Sequence, residues 1–466
     1  MTNEKKTELF EKMPIPRATA SLAIPTVLGS LVMVLYNLAD TFFVGAINDP
    51  VESAAVTIAA PVLLAFNAVI NLFGVGSGSY MSRSLGKKEY ETVRKTASFG
   101  FWCALGVSLL FSLFCAVFRT PLLGLLGADD STAAATLSYM LWTVILGSAP
   151  SILNVTLANL IRSEGESLHA SIGTMSGCLL NILLDPVFIM PWGLDMGAAG
   201  AGCATFLSNC VACLYFFVFL IRRRGKTFVS LDPRRFGFHK EIVYNVAAVG
   251  IPAAIQNLLN VTGMTVLNNF TAEFGTEAVA AMGITHKISL VPLYFSMGLG
   301  QGIMPLVGYN YASGNGKRMK EAILFAAKIA VGLILAATAA YFFFAENLIA
   351  LFMKNAQIVA YGGAFLRGIS LSLPFLAMDF YAVGIFQAVG MGKESLIFAI
   401  LRKVALEIPA LWLLNRLVPL YGLAYAQLCA ETVLAAAAVI LLWRLFRRVE
   451  NGPGKPPAGP EEPYAE

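Results

Sequence analysis

Charge is scarce in this 466-residue chain. Asp, Glu, Lys and Arg together make up 13% of it, about half of what a soluble domain uses to cover its surface. Histidine is scarcer still, at three residues, and no HExxH, GxSxG or Walker sequence occurs. A zinc protease, a serine hydrolase and a nucleotide-driven pump each need one of those motifs, so none is expected, and neither is any enzyme activity. The seven cysteines all lie in apolar stretches, and only Cys210 and Cys213 stand at C-x-x-C spacing, without a second pair. They read as small packing residues, with neither a disulfide nor a zinc site expected. The net charge of +5 is too mild for a nucleic-acid binder.

What the chain has in abundance is apolar residues, 57% of the total, with a mean hydropathy of +0.70. A helix that crosses a bilayer needs about 20 mostly apolar residues. Twelve stretches qualify: 18–47, 54–82, 96–118, 133–160, 168–190, 198–221, 243–272, 278–311, 322–345, 358–389, 395–415 and 420–443. Many contain Pro or Gly, which spans around a polar cavity tolerate because neighbours satisfy the freed backbone. The opening MTNEKKTELFEKMPIPR carries both signs of charge and leads to an apolar run too long for a signal peptide. It reads as a retained tail.

Basic residues orient the spans. With the N-terminus inside, 27 Lys and Arg fall on the cytoplasmic side, counting Lys393, Arg402 and Lys403 among them. Only Arg119, Lys354 and Arg416 fall outside. That bias places both termini in the cytoplasm of a multi-pass protein of the cell membrane.

The sequence also repeats itself. AIPTVLGSLVMVLYNLADTFFVGA at 23–46 is similar to GIPAAIQNLLNVTGMTVLNNFTAE at 250–273, and GVGSG at 74–78 recurs as GLGQG at 298–302. Two six-span repeats in one orientation are related by an axis along the membrane normal. The fold class is therefore all-α and polytopic, twelve transmembrane helices in two lobes around a central cavity. The expected organisation is a cytoplasmic tail (1–17), an N-lobe (18–223), a cytoplasmic linker (224–241), a C-lobe (242–448) and a disordered Pro/Gly-rich cytoplasmic tail (449–466).

An ionisable residue in hydrocarbon is costly and needs a reason. Asp40 lies two-thirds along the first span, with apolar residues on both sides. Asn181 and Asp185 stand four apart on the fifth span, on one helical face. Thr205 follows on the sixth. Two carboxylates, an amide and a hydroxyl can ligate a monovalent cation, or one carboxylate can hold a proton.

The segments NLADTFFVG, LANLIRSEG, LLNILLDPVFI and GLGQGIMPLVGYNYASGN resemble the multidrug and toxic compound extrusion (MATE) family over roughly residues 14–448. The resemblance implies two six-helix lobes and drug efflux coupled to inward Na⁺ or H⁺, with no other cofactor. It assigns the N-lobe coupling site to Asp40, Asn181, Asp185 and Thr205, which would be the Na⁺ ligands if Na⁺ is the ion. Asn159, at the end of the fourth span, occupies a polar position of the family. Asn260 stands where some members carry a glutamate.

The second half adds charges of its own. Asp379, Glu407 and Lys287 lie within spans, and Arg402 lies near them. They form either an attractant for a cationic drug or a neutral paired network, since buried charges are normally paired. Tyr36, Phe66, Tyr139, Trp142, Tyr294, Tyr309 and Tyr381 could stack on a planar cation. The expected function is secondary efflux of amphipathic, cationic small molecules by a monomer in the lipid bilayer. The alternative is a flippase-type exporter of a lipid-linked or other endogenous metabolite, which several intramembrane arginines would favour.

Overall fold

The computed structural model describes residues 3–47 and 49–450, and these are helical with no strand among them. Ten uninterrupted helices are long and apolar enough to cross a membrane. In the first half they are Ile15–Ala46 (span 1), Pro50–Gly86 (span 2), Tyr90–Val117 (span 3), Ser167–Ile189 (span 5) and Gly197–Arg222 (span 6). In the second half they are Lys240–Ala272 (span 7), Thr276–Ala312 (span 8), Gly316–Phe343 (span 9), Ala356–Val389 (span 10) and Leu423–Glu450 (span 12). Span 4 is the pair Ala133–Leu146 and Ser148–Ser163, bent by 45°.

Span 11 runs as Gly392–Ile400, a π segment Leu401–Glu407, and Ile408–Leu417. It carries Arg402, Lys403 and Glu407 at its middle, where hydrocarbon alone would not accept them. Arg402 is 1% exposed and Lys403 12% exposed. The count that put both in a cytoplasmic loop is therefore corrected: they belong to the helix interior.

Helix ends follow local chemistry. Asp49 accepts from the Val51 N–H at 2.8 Å and starts span 2 with Pro50 in the first turn. Asn355 caps span 10 through the N–H groups of Gln357 and Ile358. Gly390 ends that span with φ at 85°, a left-handed conformation that glycine adopts freely. Two short helices, Arg119–Leu125 and Ala345–Phe352, fall at matching places after spans 3 and 9. Outward faces expose Leu110, Leu113, Leu183 and Leu214. Such rows are accepted by lipid and poorly by water.

The halves meet along two related seams. Span 1 packs on span 8, and span 7 packs on span 2. Both repeated glycine motifs sit there. A Cβ on Gly302 would stand 2.7 Å from the Ala23 Cα, and one on Gly298 would stand 2.9 Å from the Val27 Cα. Gly76 is pressed in the same way against the Val246 carbonyl of span 7. The GVGSG and GLGQG repeats are thus the places where the two halves come closest.

The N-terminal segment read as a tail contains a helix, Asn3–Glu11. Leu9 and Phe10 are buried. Phe10 stacks on Tyr309 of span 8 at 4.7 Å and meets Gly165 of the first half. Arg318 donates through Nε to the Phe10 carbonyl at 2.6 Å and through Nη2 to the Met13 carbonyl at 2.6 Å. The Tyr309 hydroxyl donates to Glu11 at 2.8 Å. This helix closes the seam at the end that carries Lys88 and Arg318, the basic end. Of the expected disordered tail, residues 451–466 lie outside the described residues.

Candidate functional site

Three polar clusters occupy the spans. In the first half, Asp185 on span 5 is fully buried and Asp40 on span 1 is partly buried. The two carboxylates are close enough to repel, and Tyr36 and Tyr139 stand beside them. The Asn181 amide, one turn before Asp185, donates to the Asp185 Oδ2 at 2.9 Å. Its oxygen accepts from the Thr205 backbone N–H at 3.0 Å and from the Thr205 hydroxyl at 3.3 Å. Asn209 then donates to the Thr205 carbonyl at 2.9 Å and accepts from Asn154 at 2.9 Å. The effect is to hold Asp185 rigidly while the Asp40 side chain makes no hydrogen bond among the described residues. Two adjacent carboxylates lose their mutual repulsion when one takes a proton or when both face a monovalent cation.

Asn159 stands apart from this group. It forms no hydrogen bond to Asp40, Asn181, Asp185 or Thr205; its Oδ1 accepts from Arg162 Nη1 at 2.9 Å. The side chain instead packs against Gly74 at the cavity between the halves.

The second-half charges form a paired network. Arg402 donates to Asp379 at 2.8 Å and to Asn260, and its guanidinium lies 4.4 Å from the Phe380 ring centroid. Lys403 donates to Glu407 at 2.6 and 2.7 Å. Lys287 makes no ion pair among the described residues. Sequence reasoning missed two members. One is Lys403, four residues before Glu407 and so on its helical face. The other is Glu431 of span 12, 0% exposed, with neither carboxylate oxygen hydrogen-bonded among the described residues. An acid in LCAETVLAA carries the same signal of isolation among apolar residues that singled out Asp40.

Between the halves lies a cavity of about 810 Å³, counting its solvent-open part. Asn71 and Asn159 line it from the first half, and Gln256, Asn257, Asn260, Gln301 and Gln387 from the second. Met297, Met304 and Phe380 give it an apolar wall. Several aromatics proposed as ligand-stacking groups have packing roles instead: Phe66 meets Phe111 edge-on, Tyr309 holds Phe10, and the Tyr381 hydroxyl donates to the Ile323 carbonyl at 2.6 Å. Phe380, which sequence reasoning passed over, is the aromatic in the wall.

This architecture has known relatives. The MatE family model matches the chain twice, over residues 25–187 and 252–413, one copy in each half. The multidrug export protein MepA of Staphylococcus aureus (strain MRSA252) is 32% identical over 443 residues, 94% of this chain and 96% of the relative. MepA of Staphylococcus saprophyticus is 33% identical over 442 residues, with the same coverage. Among solved structures, a MATE transporter in complex with MaD5 superposes with a TM-score of 0.89 at 25% identity, covering 96% of this chain and 99% of that one. An outward-facing MATE-family multidrug resistance transporter gives 0.90 at 24% identity, over 97% of this chain and 100% of that one. Two matched copies of the family model, near-complete coverage of the curated relatives and the two-lobed helical fold lead to one conclusion: the chain belongs to the MatE family of membrane transporters.

Proposed function

We propose that the chain exports amphipathic organic molecules from the cell by antiport with H⁺ or Na⁺, alternating access between the two lobes. The observation that carries this reading is the pair Asp40 and Asp185, with Asn181 and Thr205 fixing the second carboxylate. Ion entry cancels one unit of negative charge at the N-half cluster and biases the packing of spans 1 and 5. Such a two-state element is what gradient-driven export requires. The names of the MepA relatives support multidrug export as the role. Asp379 and Glu407 are paired with Arg402 and Lys403, so they supply no free counter-charge for a cationic substrate. The orientation follows from the basic loops, with both termini in the cytoplasm.

The test is dye efflux from proteoliposomes under an imposed Na⁺ or H⁺ gradient. Gradient-dependent dye movement supports the antiport, and movement unaffected by either gradient overturns it. For orientation, a single cysteine replacing Asp195 should react with an impermeant thiol reagent on whole cells. One replacing Lys226 should react only after permeabilisation.

A further inference from the structure

The charge of the cavity between the halves has a sign of its own. Of its 21 lining residues only Arg162 is charged, and none is Asp, Glu, Lys or His. Arg162 is in the last turn of span 4 and makes no ion pair among the described residues. Its single side-chain partner is Asn159, at 2.9 Å. Its Nε is buried and has no hydrogen-bond partner. A guanidinium carries five N–H donors in a planar fork shaped for a two-oxygen anion, and here most of that capacity is unused. A buried cation held only by a neutral amide is costly, and an anionic oxygen group is the partner that offsets the cost most effectively.

The surroundings agree. The Asn257 and Gln301 side chains make no hydrogen bond within the described residues, so their amide N–H groups are available to further oxygens. On span 2, Arg83 follows the lining residue Ser82 and also has buried Nε and Nη2 atoms without partners. Its charge adds to the positive potential at the same end of the cavity. Met297, Met304 and Phe380 offer the apolar surface that the remainder of an amphiphile needs.

We propose that Arg162 and the carboxamides around it form a receptor for an anionic oxygen group (carboxylate, sulfonate or phosphate) carried by an amphipathic molecule. The site deepens the export reading, since it names the charge class of the cargo, but its binding test does not depend on transport. The anion docks on Arg162, the apolar body lies on Met304 and Phe380, and the coupling carboxylates of the first half remain free for their ion.

The experiment is equilibrium binding by fluorescence anisotropy to the purified full-length protein in phosphatidylcholine nanodiscs. Two xanthene dyes share one ring scaffold: fluorescein, an anion, and rhodamine 123, a cation. The wild type should bind fluorescein, and Arg162→Gln should weaken that binding about tenfold or more while leaving rhodamine 123 unchanged. Arg162→Lys, which keeps the charge and loses the fork, should recover part of the affinity. Asp40→Asn should leave fluorescein binding intact, which separates this receptor from the coupling reading. Fluorescein binding unchanged in Arg162→Gln overturns the proposal, as does equal loss of both dyes. If Arg162→Gln fails to fold, the wild type alone decides: absence of fluorescein binding where rhodamine 123 binds overturns the receptor. Exchanging the lipid for phosphatidylglycerol identifies the source. Displacement of fluorescein by that lipid in the wild type supports a lipid phosphate as occupant, and retained binding supports a free organic anion.

Discussion

Arg402 and Asp379 meet at 2.8 Å with both side chains 1% exposed, one from the π segment of span 11 and one from span 10. A charged pair this deep gives little net stability, because desolvation of two ions offsets their attraction. Breaking it is another matter. Arg402→Met should destabilise by about 3–5 kcal/mol, since it strands Asp379 beside Glu431. Arg402→Met combined with Asp379→Leu should recover most of that loss. Thermal melting in detergent across the four proteins of the cycle checks this. Additive shifts would remove the pair as a unit.

At the N-half cluster, Asp40→Asn removes the carboxylate that has no hydrogen-bond partner of its own while keeping its size. Expression and dye binding should persist, and gradient-driven efflux should vanish. Asp185→Asn should give a similar defect, with some loss of stability, because it also perturbs the Asn181 and Thr205 network. Efflux at the wild-type rate by Asp40→Asn, at matched expression, would rule out the proposed coupling.

The seam glycines make a conformational prediction. Gly302→Val cannot fit against Ala23 without moving span 1 from span 8. The variant should therefore favour separation of the lobes at the basic end. Spin labels on the two halves there, read by pulsed electron resonance, should report a longer distance than in the wild type. An unchanged distance distribution would show that the seam can accommodate the side chain.

The N-terminal helix should be held chiefly by one residue. Arg318→Ala leaves the Leu9, Phe10 and Met13 carbonyls without their guanidinium donor, and Phe10→Ala opens a cavity under Tyr309, at a cost of about 3–5 kcal/mol for a fully buried ring. Hydrogen exchange in the peptide covering residues 3–13 should accelerate in both variants and remain slow in the wild type.

Much of this architecture is legible in the residues. Long apolar runs announce spans because hydrocarbon admits little else, and the paired GVGSG and GLGQG motifs announce the repeat. Asp40, Asn181, Asp185 and Thr205 stand out as polar intruders at helical spacing. What sequence does not supply is the partner of each charge. Lys403 counts as a loop residue by its nearness to a glycine and other basic residues, and only the π segment shows it turned inward. Family position places Asn159 with the coupling carboxylates, whereas the chain brings it to Arg162. Helical periodicity fixes which residues share a face; which face meets which is decided by packing between spans distant in sequence.

The wide turn at Leu401–Glu407 has a consequence for chain length. A π turn holds one residue more than an α turn, and each residue advances an α-helix by about 100°. Deleting one residue there would restore a regular helix but rotate Ile408–Leu417 by about that angle, carrying Leu411 out of its buried position toward lipid. Adding a residue would do the reverse. The segment therefore fixes a reading register for the last two spans: substitutions within it alter single contacts, whereas an insertion or deletion of one residue reassigns every contact that follows until the loop before span 12 absorbs the change.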